Sequence, residues 1–237
     1  MKRIGAALLL ALGCALAHAQ AIVEIPSADG RLVHAAWKPD GRIDRWIVSL
    51  HGTGGSAKTD LGIWQRNVAG RRIGVLAIQW WRGTGDAYLA PAEIYREIDA
   101  AAQKLSITPG KAMLQGFSRG SSNLYAVAAL DAKRGRAIFE LFVANSGGAQ
   151  PDYAPNRAIA EGKFGARPLA GTYWITVCGA RDPNPDRDGC PGMRRTALWL
   201  EAQGAEIVAA IEDPQFGHGA LSLNPRNVER VLELFAR

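Results

Sequence analysis

Short apolar, β-branched runs alternate along the chain with stretches whose apolar residues recur at helical spacing. Ala21–Ser27 and Arg31–Lys38 flank Asp29-Gly30, the pattern of an opening antiparallel hairpin. Six further runs read as buried strands: Trp46–Leu50, Ile73–Gln79, Lys111–Phe117, Ile138–Ala144, Tyr173–Val177 and Glu206–Ile211. Helices are predicted near Asp60–Ala69, Pro91–Leu105, Gly120–Lys133, Met193–Gln203 and Asn227–Phe235. Pro91 suits a first helical position, and Ile94, Ile98 and Ala101 form a core-facing stripe. Strands alternating with helices imply right-handed crossovers, hence an α/β class with a mostly parallel eight-stranded sheet covered on both faces. In such sheets the chemistry sits in loops at the carboxyl ends of the strands.

The first nineteen residues follow a different pattern. Lys2 and Arg3 precede the uncharged stretch Ile4–Ala17, and Ala17-His18-Ala19 fits a small-x-small cleavage site. This predicts a signal peptide over 1–19, a single domain over 20–237, and a periplasmic or secreted protein. The apolar run is shorter than the ~20 residues that span a bilayer, so no membrane anchor is expected after cleavage. A lipoprotein signal ending at Cys14 fits less well, because Ala11 stands where Leu is usual.

Composition then adds limits. A hydrophobic share of 48% with 21% charged residues is ordinary for a globular domain and excludes collagen, coiled coil and disorder. The formal charge of +6 falls to +4 once Lys2 and Arg3 are removed, too mild to indicate a nucleic-acid partner. Cleavage also leaves two cysteines, Cys178 and Cys190, which in an exported chain predict a disulfide worth ~3 kcal/mol in the chain-entropy picture. No further Cys or His lies near them, so neither zinc nor another metal is expected.

The strongest chemical signal is Gly116-Phe117-Ser118-Arg119-Gly120, where a predicted strand hands over to a helix. The G-x-S-x-G pattern in that setting is a nucleophile elbow: a tight turn thrusts the serine outward, and glycines let neighbouring backbone pass close. The plainer alternative is a serine capping a helix. On these residues the chain resembles the α/β-hydrolases over nearly all of Ala21–Arg237. The resemblance implies the chain order nucleophile, acid, histidine. His218, in Asp213-Pro-Gln-Phe-Gly-His-Gly219, is the one histidine C-terminal to Ser118 and matches the family's base. Asp182, following Tyr173–Val177, matches the acid; Asp186 and Asp188 in the same loop, and Asp152 after the preceding strand, are rivals. The resemblance further assigns oxyanion-binding N–H groups to Thr53 and Arg119. It leaves His51 a structural role and His34 a place on a half-buried or edge position.

Gly52-Thr-Gly-Gly-Ser-Ala-Lys-Thr59 comes close to a phosphate-binding loop but has Ala57 where that motif needs Gly. Trp80 and Trp81 close a predicted strand and are candidates for a substrate-binding wall. Fewer than thirty residues separate Ala144 from Tyr173, enough for a minimal cap and an open cleft. The reading is therefore a cofactor-free exported serine esterase, similar to feruloyl-esterase and polyester-depolymerase branches, acting on a small-molecule or polymeric ester. The same residues would also serve an amidase, peptidase or acyltransferase, and a non-catalytic ligand-binding protein is the alternative of another class.

Overall fold

The computed structural model describes residues 22–134 and 137–237. The segment 1–19, read above as a signal peptide, lies outside the described residues. In chain order the elements are β1 (Ile22–Pro26), β2 (Val33–Trp37), β3 (Arg45–Leu50), α1 (Ala57–Asn67), β4 (Ile73–Ile78), α2 (Pro91–Lys104), β5 (Ala112–Phe117) and α3 (Arg119–Ala132). There follow β6 (Phe139–Asn145), α4 (Ala154–Ala160), β7 (Tyr173–Gly179), α5 (Cys190–Ala202), β8 (Glu206–Asp213), α6 (Ala220–Leu223) and α7 (Pro225–Phe235).

The strands form one sheet in the order β1-β2-β4-β3-β5-β6-β7-β8. β1 and β2 are antiparallel to each other, and β2 is antiparallel to β4; the remaining pairings are parallel. The alternating side chains of the central strands fill two cores. Trp46, Val48 and Leu50 of β3 face the core shared with α2, α3 and α5, whereas Ile47 joins Leu61, Trp64, Val231 and Phe235 beneath α1 and α7. Each such fully buried aliphatic or aromatic side chain stabilises the fold by roughly 1.5–3 kcal/mol. Large and small residues are matched across strands: Trp46 pairs with Gly74, where a Cβ would lie 2.7 Å from the indole.

Two helix starts lie three residues ahead of the sequence pattern, each for a local reason. α1 starts at Ala57 rather than Asp60, because the Ser56 side chain accepts the Thr59 N–H and caps the helix there. The stretch resembling a phosphate loop is thus a capped helix start, and Lys58 is a solvated charge beside Glu24. α5 starts at Cys190 with Pro191 in its first turn, three residues ahead of the predicted Met193. Between β6 and β7 the chain forms only α4 and loops, so little stands over the carboxyl edge of the sheet. No described helix is long and apolar enough to cross a membrane.

Candidate active site

Ser118 joins the end of β5 to the start of α3 with φ 53° and ψ −118°, a strained conformation for a residue bearing a side chain. The strain is held by close backbone packing. A Cβ on Gly116 would lie 2.6 Å from Gly120 O, and one on Gly120 would lie 2.3 Å from Leu50 O. From the other side, a Cβ on Gly147 would lie 2.1 Å from Ser118 O, and Ser118 N–H donates to Asn145 O at 2.9 Å. Gly147 belongs to the same support, although no motif marked it.

His218 reaches the serine from the loop between β8 and α6. Asp213 shapes that loop: its carboxylate accepts the N–H groups of Gln215 and Phe216 and the side-chain amides of Asn224 and Asn227. Burial pushes the Asp213 carboxyl up, but these hydrogen bonds outweigh it and leave it below its ordinary value. The loop abuts the β7–α5 connection backbone to backbone, with Ala180 N–H donating to Asp213 O and Arg181 N–H to Phe216 O. A Cβ on Gly179 would lie 2.2 Å from Gly217 O, so glycine is required for this approach.

The result is a continuous chain of three side chains. His218 Nε2 lies 2.8 Å from Ser118 Oγ, and His218 Nδ1 lies 2.8 Å from Asp182 Oδ2. A carboxylate only accepts, so Nδ1 carries the ring proton and Nε2 is the acceptor for the serine hydroxyl. Asp182 is buried, and its second oxygen accepts Asn184 N–H at 2.8 Å. The Phe117 ring packs 5.0 Å from the imidazole. Of the rival acids, Asp186 is exposed and paired with Arg195, and Asp152 lies exposed at the rim. Asp188 is buried beside Asp182 and held by Arg187. The Cys178–Cys190 disulfide closes the connection that carries Asp182.

Beside Ser118 opens a cleft of about 290 Å³, lined by Thr53, Arg119, Ser122, Gln150, Asp152, Tyr153, Arg187 and Asp188. Thr53 and Arg119 therefore share the cleft with the serine. Arg119 is the first residue of α3, so its N–H has no acceptor within the helix. Its guanidinium extends over the Tyr88 ring and pairs with Asp86 at 2.8 Å.

The tryptophan pair needs correction. Trp80 is 1% exposed, donates its indole N–H to His51 O and stacks on the His51 ring, so it supports the Gly52 loop from below and stands outside the lining of this cleft. Trp81 stacks on Tyr88 and donates to Gly85 O, outside the cleft lining. The cleft's aromatic wall is instead Tyr153, whose hydroxyl is bonded to Asn123 of α3. His51 is buried, with Nδ1–H donating to Gly52 O, and burial lowers its basicity. His34 proves fully buried rather than half-buried: its Nδ1 accepts Gln79 N–H and its Nε2–H donates to Glu97. Neither reaches Ser118.

Among the described residues, three donor-type side chains meet at one place: an oxygen each of Asp182 and Asp188 and a ring nitrogen of His218 lie within 4.8 Å of one another. Because His218 is already bonded on both nitrogens, this group belongs to the hydrogen-bonded chain rather than to a metal centre.

No family model matches the chain, and no curated protein sequence does either. Solved structures do. A hyperthermophilic esterase from Pyrobaculum calidifontis superposes with a TM-score of 0.64 over 92% of this chain and 84% of its own, at 18% identity. A fungal esterase from Rhizomucor miehei gives 0.65 over 92% and 82%, at 16% identity. The HSL-homolog EstE7 from a metagenome library gives 0.67 over 93% and 87%, at 12% identity. The chain has the α/β-hydrolase fold. In this α/β-hydrolase fold the Ser118 turn follows β5, the Asp182 loop follows β7 and the His218 loop follows β8, all at the carboxyl edge of the sheet.

Proposed function

We propose that the protein is a serine hydrolase that cleaves carboxylic esters through an acyl-enzyme. The observation that carries this is the Ser118–His218–Asp182 hydrogen-bonded chain at the floor of an open cleft. Ser118 Oγ attacks the ester carbonyl carbon while His218 Nε2 takes its proton, and Asp182 stabilises the imidazolium and holds the ring. The N–H groups of Thr53 and Arg119 receive the developing oxyanion, each worth ~3 kcal/mol in the transition state. Collapse expels the alkoxide, which takes the proton from His218. Water, deprotonated by the same imidazole, then attacks the acyl carbon and regenerates Ser118.

The cleft lining supports a short or polar ester. Every residue around the opening carries a polar group that can hydrogen-bond a polar substrate, with the Tyr153 ring as its aromatic surface. The exported location is part of the same proposal, supported by the leader-like residues 1–19 and by a disulfide, which persists in oxidising compartments. A fluorophosphonate probe tests the central claim: it should label Ser118 in the folded protein and not Ser118→Ala. Labelling elsewhere, or none in protein that hydrolyses no ester, overturns it.

A further inference from the structure

Asp188 is a buried carboxylate that the reaction above does not use. It is 3% exposed and lies with Asp182 and His218 in a group whose nearest donor atoms are within 4.8 Å. Its position is fixed by the same turn that fixes the triad acid. Asn184 N–H donates to Asp182 Oδ1, while Asn184 O accepts the N–H groups of Arg187, Asp188 and Gly189. Gly189 permits this packing, since a Cβ there would lie 3.1 Å from Asp182 Cβ and 2.7 Å from Pro185 Cα. The disulfide ties the end of the turn to β7.

Among the described residues, the ion-pair partner of this carboxylate is Arg187. Arg187 Nε and Nη2 both donate to Asp188 Oδ2, at 2.9 and 2.7 Å, and Arg187 itself is more than half exposed at the cleft. Other charges near the histidine are committed or more open to solvent. Asp213, on the histidine's own loop, is satisfied by four donors. Arg119, from α3, pairs with Asp86, and Asp152, ahead of α4, is exposed at the rim. Arg181 and Asp186 of the β7–α5 connection are exposed.

We propose that Asp188 is a positioning residue, a second carboxylate acting on His218, with Arg187 as the counter-ion that tempers it. This rests on reading His218 as the base. While the imidazole is neutral, the Asp188–Arg187 pair is nearly self-compensating. When the ring becomes imidazolium, the buried carboxylate attracts it across low-dielectric protein, whereas the more exposed guanidinium repels it through solvent. Removing either partner leaves the other uncompensated beside the ring, with opposite consequences for where the proton resides.

The test is a proton NMR titration of the His218 ring, which needs no substrate, together with kcat/KM against pH. In Asp188→Asn the isolated guanidinium should lower the His218 midpoint by about one pH unit. In Arg187→Gln the isolated carboxylate should raise it, and the acid limb of kcat/KM should move the same way in each variant. Should Asp188→Asn fail to fold, Arg187→Gln still carries the test. Midpoints matching the native protein, with only thermal stability altered, overturn the proposal. If midpoints move but no fluorophosphonate labelling occurs, the hydrolase reading fails while the electrostatic role of Asp188 stands.

Discussion

Ser49 Oγ donates to Gln115 Oε1 at 2.7 Å, and this bond determines the state of a carboxyl beneath β5. Gln115 Oε1 also accepts the Trp64 indole N–H at 3.2 Å, so that end of the amide is the oxygen. A hydroxyl has one proton, and Ser49 has given it away. Its second short contact, with Asp60 Oδ2, therefore requires the proton to come from Asp60.

Burial agrees, raising the Asp60 carboxyl from 3.8 to about 6. Below about 4 the group is protonated in both folded and unfolded chains, and its contribution to stability is complete. Between about 4 and 6 only the folded chain keeps the proton, and above 6 it must ionise in its buried place. Two pK units correspond to roughly 3 kcal/mol lost between those limits. Asp60→Asn removes the titration. Its stability relative to the native protein should improve by a few kcal/mol as pH rises from 4.5 to 7.5, measured by urea unfolding at each pH. A difference that stays constant with pH would disprove the protonated assignment.

Gly120→Ala is expected to damage the site more than its size suggests. The added Cβ would meet Leu50 O at 2.3 Å and His51 O at 2.7 Å, both backbone atoms that cannot swing aside. Relief requires α3 to move away from β3, which displaces Ser118 from His218 and Arg119 from Thr53. A stability loss of about 1–3 kcal/mol and a fall in kcat of at least a hundredfold should follow, read by urea unfolding and by ester turnover. Gly62→Ala, at a half-exposed position of α1 where the nearest atom is the Arg66 guanidinium at 3.6 Å, is the control and should be neutral or stabilising.

The contrast between these glycines shows which parts of the molecule were legible. The Ser118 turn is encoded locally, since five consecutive residues specify both the strain and the close approaches that hold it. The strand and helix order follows from periodicity, because each face of the sheet demands alternation. Trp80 was readable from the same rule: it shares parity with Leu76 and Ile78, which face one core. Gln150, Tyr153 and Arg187 were not readable. They reach the cleft from irregular segments whose paths are set by distant bonds, such as Tyr153 to Asn123, and no period or spacing announces them. For the acid, the sequence left Asp182 beside three rivals, and folding distinguishes them by burial and by which oxygen meets Nδ1.

That distinction has a kinetic counterpart. Asp182→Asn would place an amide against His218 Nδ1, favouring the tautomer with its proton on Nε2, which cannot accept from Ser118. A fall in kcat of roughly 10³–10⁴ is expected, with KM much less affected. Asp186→Asn removes a charge on an exposed side chain already paired with Arg195 and should change turnover less than twofold. Comparable losses in the two variants would show that the loop, not the specific carboxylate, is what the reaction needs.

The disulfide offers a separate handle on the same loop. Cys178 is the penultimate residue of β7 and Cys190 begins α5, so the bridge encloses Asp182, Arg187 and Asp188 within a short covalent ring. Both half-cystines are buried, 2% and 4% exposed, and lie in the core shared with α3 and α5. Opening the ring frees unfolded-chain entropy worth ~3 kcal/mol in the chain-entropy model. Replacing both by Ala keeps the site apolar and adds a modest cavity cost. The double variant should therefore unfold at lower urea, with a slope equal to or slightly steeper than native because its unfolded chain is less constrained. Because the Asn184-centred turn then relies on hydrogen bonds alone to hold Asp182, kcat should fall several-fold in protein that remains folded, while KM stays close to native. Dithiothreitol applied to the native protein should reproduce the stability loss. Coincident urea midpoints for oxidised and reduced protein would mean that the backbone bonds, not the bridge, hold the carboxylate in place.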